Sequence, residues 1–322
     1  MIKKRFISML VLLAAVVTGA VAQTTYKVSV KEGTEDASNW QGKAGEGEYQ
    51  SLPLEGVAAN TAVSVKYSGT KRVKSVKAVK KAGLPVVNGK FSVSDTKQVY
   101  FSKGNLRYAS GAWSFFDNQY DYYNSYSADA WDHFGWSTSA TTYGMNTSTD
   151  NIYSGDFVDW GATMGTGWFT LSSDEWTYLF NTRSASTVNG TANGRYAKAK
   201  VNDVWGVILF PDTYTHPDGV TAPTGVNAGN TGNTDWNGSN YTVEDWTKME
   251  SAGCVFLPTA GHREGSTVGN ANASGNYWSA THHSTADYAS YNVSFTKGTL
   301  NTAGVSRRKY GYSVRLVRQV TE

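Results

Sequence analysis

The 322-residue sequence lacks several features that would define its class at once. It contains one cysteine and six prolines, and only 17% of its residues are charged, whereas 13% are aromatic. A single cysteine excludes an intramolecular disulfide, and few charges with many aromatics argue against intrinsic disorder. Cys254 lies in the apolar run Cys254-Val255-Phe256-Leu257, so we expect a small buried side chain rather than a reactive thiol.

Motifs of metal binding and catalysis are also absent. The sequence contains no His-Glu-x-x-His, Cys-x-x-Cys, Walker-type loop or Gly-x-Ser-x-Gly elbow. His282 and His283 are adjacent and would point to opposite faces of a strand, which disfavours a shared metal. We therefore expect neither a metal nor another cofactor.

Two carboxylate pairs leave an enzymatic alternative open. Asp156 with Asp159, or Asp174 with Glu175, could in principle serve a glycosidase. The second pair is better explained as acids in the first turn of a helix, where the dipole favours negative charge. We expect the chain not to be an enzyme, with a carbohydrate-active enzyme as the alternative.

Long hydrophobic runs are limited to the N-terminus. Lys3, Lys4 and Arg5 precede the apolar residues 6–17, and Ala20-Val21-Ala22 follows. This layout predicts a secretory signal peptide over residues 1–22. No later stretch approaches 18 apolar residues, so we predict an exported protein without a transmembrane segment. Its location would be periplasmic, outer-membrane-associated or extracellular.

Charge is unevenly distributed along the chain. The net charge of the whole chain is +3, whereas residues 23–322 hold 26 basic and 26 acidic residues. This neutrality argues against nucleic acid as a partner. Residues 23–90 hold 11 basic and 6 acidic residues, and residues 91–322 hold 15 and 20. We predict a small β module over 23–90 and a larger, aromatic-rich domain over 91–322.

Hydrophobic periodicity places the elements of the β module. Alternation predicts strands over 26–31 and 62–67, with a turn over 33–36. The lysine-rich run over 71–81 suits a lysine-protected edge strand or, alternatively, contact with an anionic surface such as lipopolysaccharide or acidic glycan.

Capping signals place two helices in the larger domain. Ser172 is followed three residues later by Glu175, and Thr242 by Asp245, which predicts helices near 174–182 and 243–251. The polar stretch over 217–240 is predicted to be a long loop. Two helices among many short strands indicate an α+β fold. The predicted strands are 91–94, 99–102, 106–108, 113–116, 197–200, 205–210, 255–257, 277–281, 289–295 and 313–318.

Residues 261–312 have the composition of a recognition surface. Tyr, Trp, His, Arg, Asn, Ser and Gly are concentrated here on predicted loops. Tyr and Trp provide contact area at low entropic cost, and Ser, Gly and Asn provide adaptable hydrogen bonds. The same composition suits glycan binding, and a loop-rich surface without a dedicated ligand is a further alternative.

The C-terminal residues resemble a known family. Residues 275–281 (Gly-Asn-Tyr-Trp-Ser-Ala-Thr), 307–310 and 311–318 (Gly-Tyr-Ser-Val-Arg-Leu-Val-Arg) form one pattern, and segments 99–106, 171–176, 206–211 and 255–261 extend it upstream. The pattern resembles secreted Bacteroidetes proteins with a C-type-lectin-like fold. That fold also occurs in the formylglycine-generating-enzyme family and in the variable proteins of diversity-generating retroelements. The resemblance covers roughly residues 91–318.

The resemblance implies a framework and a contact surface. Trp278, Ser279, Gly311 and residues 313–316 match framework positions. The positions between them match variable residues that contact ligand in such proteins. The implied contact residues are Arg263, Glu264, Asn270, Asn272, Asn276, Tyr277, His282, His283, Tyr288, Tyr291, Asn292, Lys297, Asn301, Arg308, Lys309, Tyr310 and Tyr312.

The implied function is ligand binding by an exported or cell-surface protein, adhesin-like or receptor-like. Its ligand would be a protein or glycan on another cell, a phage or a host surface. The cysteine pair of the formylglycine-generating enzymes is absent, and so are the Glu-Pro-Asn and Trp-Asn-Asp motifs of calcium-dependent lectins. Oxidase activity and calcium-dependent sugar binding are therefore not implied. A structural subunit of a surface assembly, docked through residues 23–90, is a further alternative.

Overall fold

The computed structural model describes residues 25–28, 37–45, 47–52, 54–58, 63–68, 85–150, 153–229 and 239–321. The chain divides into two compact units, with the boundary between Ala82 and Gly83. Helices in the described part of the chain are all too short or too polar to cross a membrane.

The first unit is built from two small antiparallel sheets. β1 pairs with β4, and β2 lies between β3 and β5. The strand predicted over 62–67 is confirmed, and the strand predicted over 26–31 is confirmed for residues 26–28. Residues 29–31, the turn over 33–36 and the lysine-rich run over 71–81 lie outside the described residues. The strands are β1 (Thr25–Val28), β2 (Trp40–Ala44), β3 (Gln50–Ser51), β4 (Leu54–Ala58) and β5 (Val63–Tyr67).

The second unit consists mostly of strands, with two α-helices among its described residues. Its sheets are small and almost entirely antiparallel, as an α+β or mostly-β class requires. The elements are β6 (Phe91–Ser92), β7 (Gln98–Phe101), β8 (Leu106–Ala109), β9 (Ala112–Phe115), β10 (Ala130–Trp131), β11 (Trp168–Phe169), α1 (Ser173–Asn181), β12 (Tyr196–Val201), β13 (Val204–Leu209), β14 (Asn240–Tyr241), α2 (Val243–Ser251), β15 (Val255–Pro258), β16 (His262–Glu264), β17 (Thr267–Gly269), β18 (Ser274–His282), β19 (Ala289–Thr296), β20 (Leu300–Arg307) and β21 (Val317–Gln319).

Both helices begin at the predicted capping boxes. The Ser172 hydroxyl accepts a hydrogen bond from the Glu175 backbone at 3.2 Å, and the Glu175 carboxylate accepts one from the Ser172 backbone at 2.8 Å. Thr242 and Asp245 make the same reciprocal pair at the start of α2. These bonds satisfy backbone donors that the first helical turn leaves without intrahelical partners.

Three antiparallel strands near the C-terminus form a sheet in the order β18, β19, β20. β20 was not predicted, because its Asn, Thr, Ala, Gly and Ser residues carry little strand signal. The predicted strand over 313–318 is present only as Val317–Gln319. Ser313 instead makes an isolated bridge with Tyr277.

Aromatic residues fill the interior of the second unit. Trp136, Trp160, Trp176 and Trp278 are fully buried. Trp176 of α1 lies in one hydrophobic cluster with residues of neighbouring strands, and the other three belong to a second cluster. Much of the tryptophan content therefore stabilises the fold. Cys254 is buried, as predicted, and its pKa is raised by burial.

Residues 85–90 belong to the second unit, although the composition of the sequence placed them in the β module over 23–90. Val86 makes a β-bridge with Ser102, and Val87 is buried in the main core. Gly89 lies against the backbone of Gly253, where a Cβ atom would approach the Gly253 carbonyl oxygen to 2.2 Å. Packing, rather than net charge, sets the division observed between Ala82 and Gly83.

Candidate ligand-recognition surface

The turn over 307–310, which follows β20, is held by backbone hydrogen bonds from both sides. On one side, Arg263 and Gly311 exchange bonds of 2.8 and 2.7 Å; on the other, the Arg308 N–H donates to the Tyr288 carbonyl at 2.9 Å. The Tyr310 N–H closes the turn onto the Arg307 carbonyl at 3.1 Å. Because these bonds involve the main chain alone, they hold the turn without using the side chains of Arg307, Lys309 and Tyr310.

Arg308 anchors the turn from inside. It is 3% exposed, and its guanidinium carbon lies 4.2 Å from the centroid of the Trp136 ring. It donates to the Tyr153 carbonyl at 3.0 Å and to the Ser290 hydroxyl at 3.0 Å. Burial lowers the pKa of Arg308, and the negative charge of Asp287 opposes that effect.

Arg263 provides a second internal anchor, on β16. It is 2% exposed, with its guanidinium carbon 4.9 Å from the centroid of the Trp131 ring. It donates to the Gly265 carbonyl at 2.6 Å and to the His133 carbonyl at 3.2 Å. Burial lowers its pKa too. Both arginines therefore support the surface without forming part of it.

A series of rings leads from the core to this surface. The centroids of Trp278 and Tyr312 are 4.5 Å apart, those of Tyr312 and Tyr310 are 6.3 Å apart, and those of Tyr310 and His262 are 6.0 Å apart. Trp278 and Tyr312 are buried, whereas Tyr310 and His262 are half-buried. Burial lowers the pKa of His262, and the charge of His133 lowers it further, so His262 is neutral at neutral pH.

The side chains that reach solvent around the turn are charged or aromatic. Lys309 donates to Glu264 at 2.8 Å, and this bond lowers the pKa of the carboxyl group. Arg307 is exposed, and Tyr288 is 56% exposed. We call residues 262, 264, 288, 307, 309 and 310 the turn surface.

An adjoining face of the sheet carries further exposed side chains. Tyr291 and Val305 occupy paired positions of β19 and β20, and Val305 is 48% exposed. The rings of His283 and Tyr291 lie 5.4 Å apart. Since side chains two residues apart share a face, Arg307 extends this patch toward the turn surface.

Five of the predicted contact residues lie in the interior, which corrects their assignment. Tyr277 is fully buried and donates to the Pro258 carbonyl at 3.0 Å, and Asn292 packs between β18 and β20. A buried side chain cannot meet a ligand without unfolding its surroundings. The corrected residues are Arg263, Tyr277, Asn292, Arg308 and Tyr312.

Three predicted asparagines lie at turns or bond to the backbone. Asn272 accepts from the Trp205 N–H at 2.8 Å, and Asn276 donates to the Gly261 carbonyl at 3.0 Å. Asn270 has a φ of 55°, a left-handed conformation that asparagine tolerates well. These three positions shape loops that lead into the sheet.

The remaining predicted residues divide between the two ends of the sheet. Glu264, Tyr288, Lys309 and Tyr310 lie on the turn surface, and His282, His283 and Tyr291 lie near it. Lys297 and Asn301 are exposed at the opposite end of β19 and β20. The sequence pattern therefore joined residues that do not form one site.

Three surface residues were not among the predicted contacts: His262, Val305 and Arg307. His262 directly precedes the predicted contact Arg263, and Arg307 is the first residue of the segment 307–310 in the family pattern. The family pattern could therefore have pointed to both residues. Val305 had none, because β20 was not recognised as a strand.

The carboxylates considered for catalysis make structural bonds, apart from the exposed Asp156 and Asp174. Asp159 accepts from Gly161 and from the backbone and hydroxyl of Thr170, at 2.8 to 3.1 Å. Glu175 caps α1 and accepts from Lys97 at 2.6 Å. No group of three or more His, Cys, Asp or Glu side chains suited to a metal ion occurs in the described part of the chain.

Comparison of the chain with protein-family models, with curated proteins and with solved structures finds no match. The chemistry of the turn surface is therefore judged from its own residues. It combines two aromatic rings, two cations, a carboxylate and an imidazole on a backbone that is fixed from both sides.

Proposed function

We propose that this chain is an exported, ligand-binding protein of adhesin or receptor type, with the turn surface as its main contact region. The observation that carries the proposal is the turn over 307–310, whose backbone is held by hydrogen bonds on both sides while Arg307 is exposed and Lys309 and Tyr310 are partly exposed. Its ligand is a protein or glycan on another cell, a phage or a host surface.

Rigidity of the turn supports a recognition role. A surface that is already ordered loses little conformational entropy when a ligand binds. Tyr288 and Tyr310 offer large contact areas with few rotatable bonds, and Arg307 and Lys309 add directional donors. Tyrosine and arginine are also the residue types that most often dominate binding energy at interfaces.

The fold that we propose is C-type-lectin-like, as the C-terminal pattern suggests. The positions that match the framework of such proteins are buried here, including Trp278, Ser279 and residues 313–316. The strands are short, two helices are present among the described residues, and irregular segments are long. This distribution supports a division between an interior framework and an exposed, variable surface, as in the variable proteins of diversity-generating retroelements.

A protein and glycan array probed with the full chain tests the proposal. Tyr288→Ala, Arg307→Ala and Tyr310→Ala should each weaken the detected interaction by at least about 1 kcal/mol, because each removes a large side chain that is exposed or partly exposed. Val243→Ala, an exposed apolar position on α2, is the matched control and should bind like the unmodified chain. If all three turn-surface variants kept every interaction at full strength, the assignment would be wrong.

A further inference from the structure

A separate pocket, with a volume of about 440 Å³, opens where residues 120–124 meet the β12–β13 hairpin. Its aromatic lining residues are the half-buried Tyr120 and Tyr122 and the buried Phe116. Arg107, Asp121, Asn124 and Asn202 supply its polar groups. The pocket contains no residue of the turn surface.

Buried hydrogen bonds fix the segment that forms the pocket wall. Gln119 is fully buried, donates to Glu250 at 2.8 Å and accepts from the Phe256 N–H at 2.8 Å. The Tyr123 N–H donates to Asp132 at 2.7 Å. Residues 120–122 are therefore anchored immediately before and after the pocket.

The opposite wall is a tight hairpin turn. Val201 and Val204 are paired across β12 and β13, which leaves Asn202 and Asp203 as a two-residue connection. Their φ angles of 47° and 63° are those of a type I′ turn, which matches the twist of the flanking strands. The Asn202 N–H donates to the Tyr241 carbonyl at 3.1 Å, so a hydrogen bond to β14 also holds the turn.

Among the polar groups of the pocket, Arg107 bonds to Ser114 and Asp121 accepts from Asn118 at 3.0 Å, whereas the two amides and the two phenol hydroxyls have fewer partners. Asn189, Asn227, Asn272 and Asn276 all bond to backbone groups through their side-chain amides. Within the described residues, the amides of Asn124 and Asn202 and the hydroxyls of Tyr120 and Tyr122 make no such bond. These groups are available to a ligand.

Charge in the pocket is balanced. Arg107 and Asp121 are its only charged lining residues in the described structure, so its formal charge is zero. Arg107 donates through Nε to Ser114 at 3.0 Å, and its guanidinium carbon lies 5.1 Å from the Phe116 ring centroid, which orients the terminal nitrogens. Burial raises the pKa of Tyr120 and Tyr122, so both phenols stay protonated and can donate as well as accept.

We propose that this pocket is a binding site for a neutral carbohydrate, separate from the turn surface. A sugar ring has an apolar C–H face, which suits contact with an aromatic ring, and a rim of hydroxyls, each needing donors and acceptors. The pocket combines tyrosine rings with guanidinium, carboxylate and amide groups, which together meet both needs. Its balanced charge favours a neutral sugar over an anionic one.

Saturation-transfer NMR on the full chain tests this site. The probes are the methyl glycosides of glucose, galactose, mannose and N-acetylglucosamine, with glucuronic acid as the anionic comparison. At least one neutral glycoside should receive saturation. Tyr122→Ala and Asn124→Ala should each lower its affinity by about tenfold, because they remove a stacking face and a hydrogen-bonding amide.

Tyr310→Ala, which changes the turn surface and its packing on Tyr312 but no pocket residue, is the control and should bind the glycoside like the unmodified chain. Near-ultraviolet circular dichroism of every variant checks that the fold is retained. The proposal is overturned if no neutral glycoside binds, if glucuronic acid alone binds, or if folded Tyr122→Ala and Asn124→Ala both bind unchanged. Loss of binding in Tyr310→Ala alone would instead assign the sugar to the turn surface.

Discussion

Cationic side chains in the interior organise much of the second unit. Arg183 donates to Asp212 at 2.8 Å and to the Phe210 carbonyl at 2.6 Å. Arg315 donates to Gln119 and to the Phe256 carbonyl. Burial lowers the pKa of both guanidinium groups to about 10, yet both remain charged at neutral pH. Their role is to satisfy carbonyl groups that irregular backbone leaves inside the fold.

Lys198 allows a test of such a buried cation. It is 3% exposed on β12, and its Nζ atom donates to the Gly229 carbonyl at 2.8 Å and to the Lys297 carbonyl at 2.9 Å. Burial lowers its pKa from 10.5 to about 8. The neutral amine still has two N–H groups, one for each carbonyl, so deprotonation removes the buried charge and keeps both bonds.

We predict that the unmodified chain gains stability relative to Lys198→Met as the pH rises from 8 to 10.5. In this range the unfolded chain binds more protons at residue 198 than the folded chain, so the free energy of unfolding rises with pH, by at most about 3 kcal/mol. Below pH 8 the two proteins should show a constant difference. Urea denaturation at several pH values measures it, and a difference that stays constant up to pH 10.5 would contradict the prediction.

For single residues, composition predicted which residue types would be prominent in the structure but not whether each of them is buried or exposed. Arginine and tyrosine were expected at a contact surface, and Arg263, Arg308 and Tyr312 proved to be internal. A guanidinium that bonds carbonyls from distant segments leaves no periodic trace in the sequence. Cys254 was predicted correctly because the apolar run around it is itself a signal.

The sheet of β18, β19 and β20 depends on a glycine where two strands meet. A Cβ atom at Gly275 would lie 2.1 Å from the Phe295 ring on the adjacent strand. Gly298, in the β19–β20 connection, has no heavy atom within 4 Å of a Cβ position, and its φ lies outside the left-handed region. Gly298 therefore serves as a control for Gly275, because an added methyl group would meet no neighbouring atom there.

We predict that Gly275→Ala lowers the free energy of unfolding by about 1–3 kcal/mol, because the new methyl group overpacks the core. Gly298→Ala should change it by less than about 0.5 kcal/mol, or stabilise slightly, by restricting the unfolded chain. Thermal and urea denaturation of both variants measures the effects. Equal effects of the two substitutions would contradict the packing that the structure shows.

Elements with local signals were predictable, and those defined by partners were not. Both helices follow from capping boxes and apolar spacing within about ten residues of sequence. β20 has eight residues of low strand propensity and exists because it pairs with β19 and packs against α1 through Thr302. The order of strands in each sheet is likewise set by contacts far apart in sequence.

The whole molecule consists of two units that differ in charge and in aromatic content. All three hydrophobic clusters of the described structure consist of residues between Val86 and Val317, within the second unit. Since a unit with its own core can fold by itself, the second unit does not require the first for its packing.

We predict that a fragment covering residues 83–322 folds alone. Its melting temperature should lie within about 4 °C of the corresponding transition of the full chain, a shift worth roughly 1 kcal/mol for a domain of this size. Differential scanning calorimetry compares the two, with a fragment starting at residue 91 as control. The shorter fragment lacks Val86 and Val87 and should be less stable. A fragment 83–322 without a cooperative transition would contradict the prediction.

The clasped turn has a consequence for the evolution of this chain. Because the backbone N–H and C=O groups of residues 263, 288, 308 and 311 hold the turn, substitution of the exposed Arg307 side chain carries little penalty in folding. Selection on the ligand that we propose for this surface can thus act on position 307 almost independently of selection on fold stability. A change of the proposed target through that position would leave the protein folded.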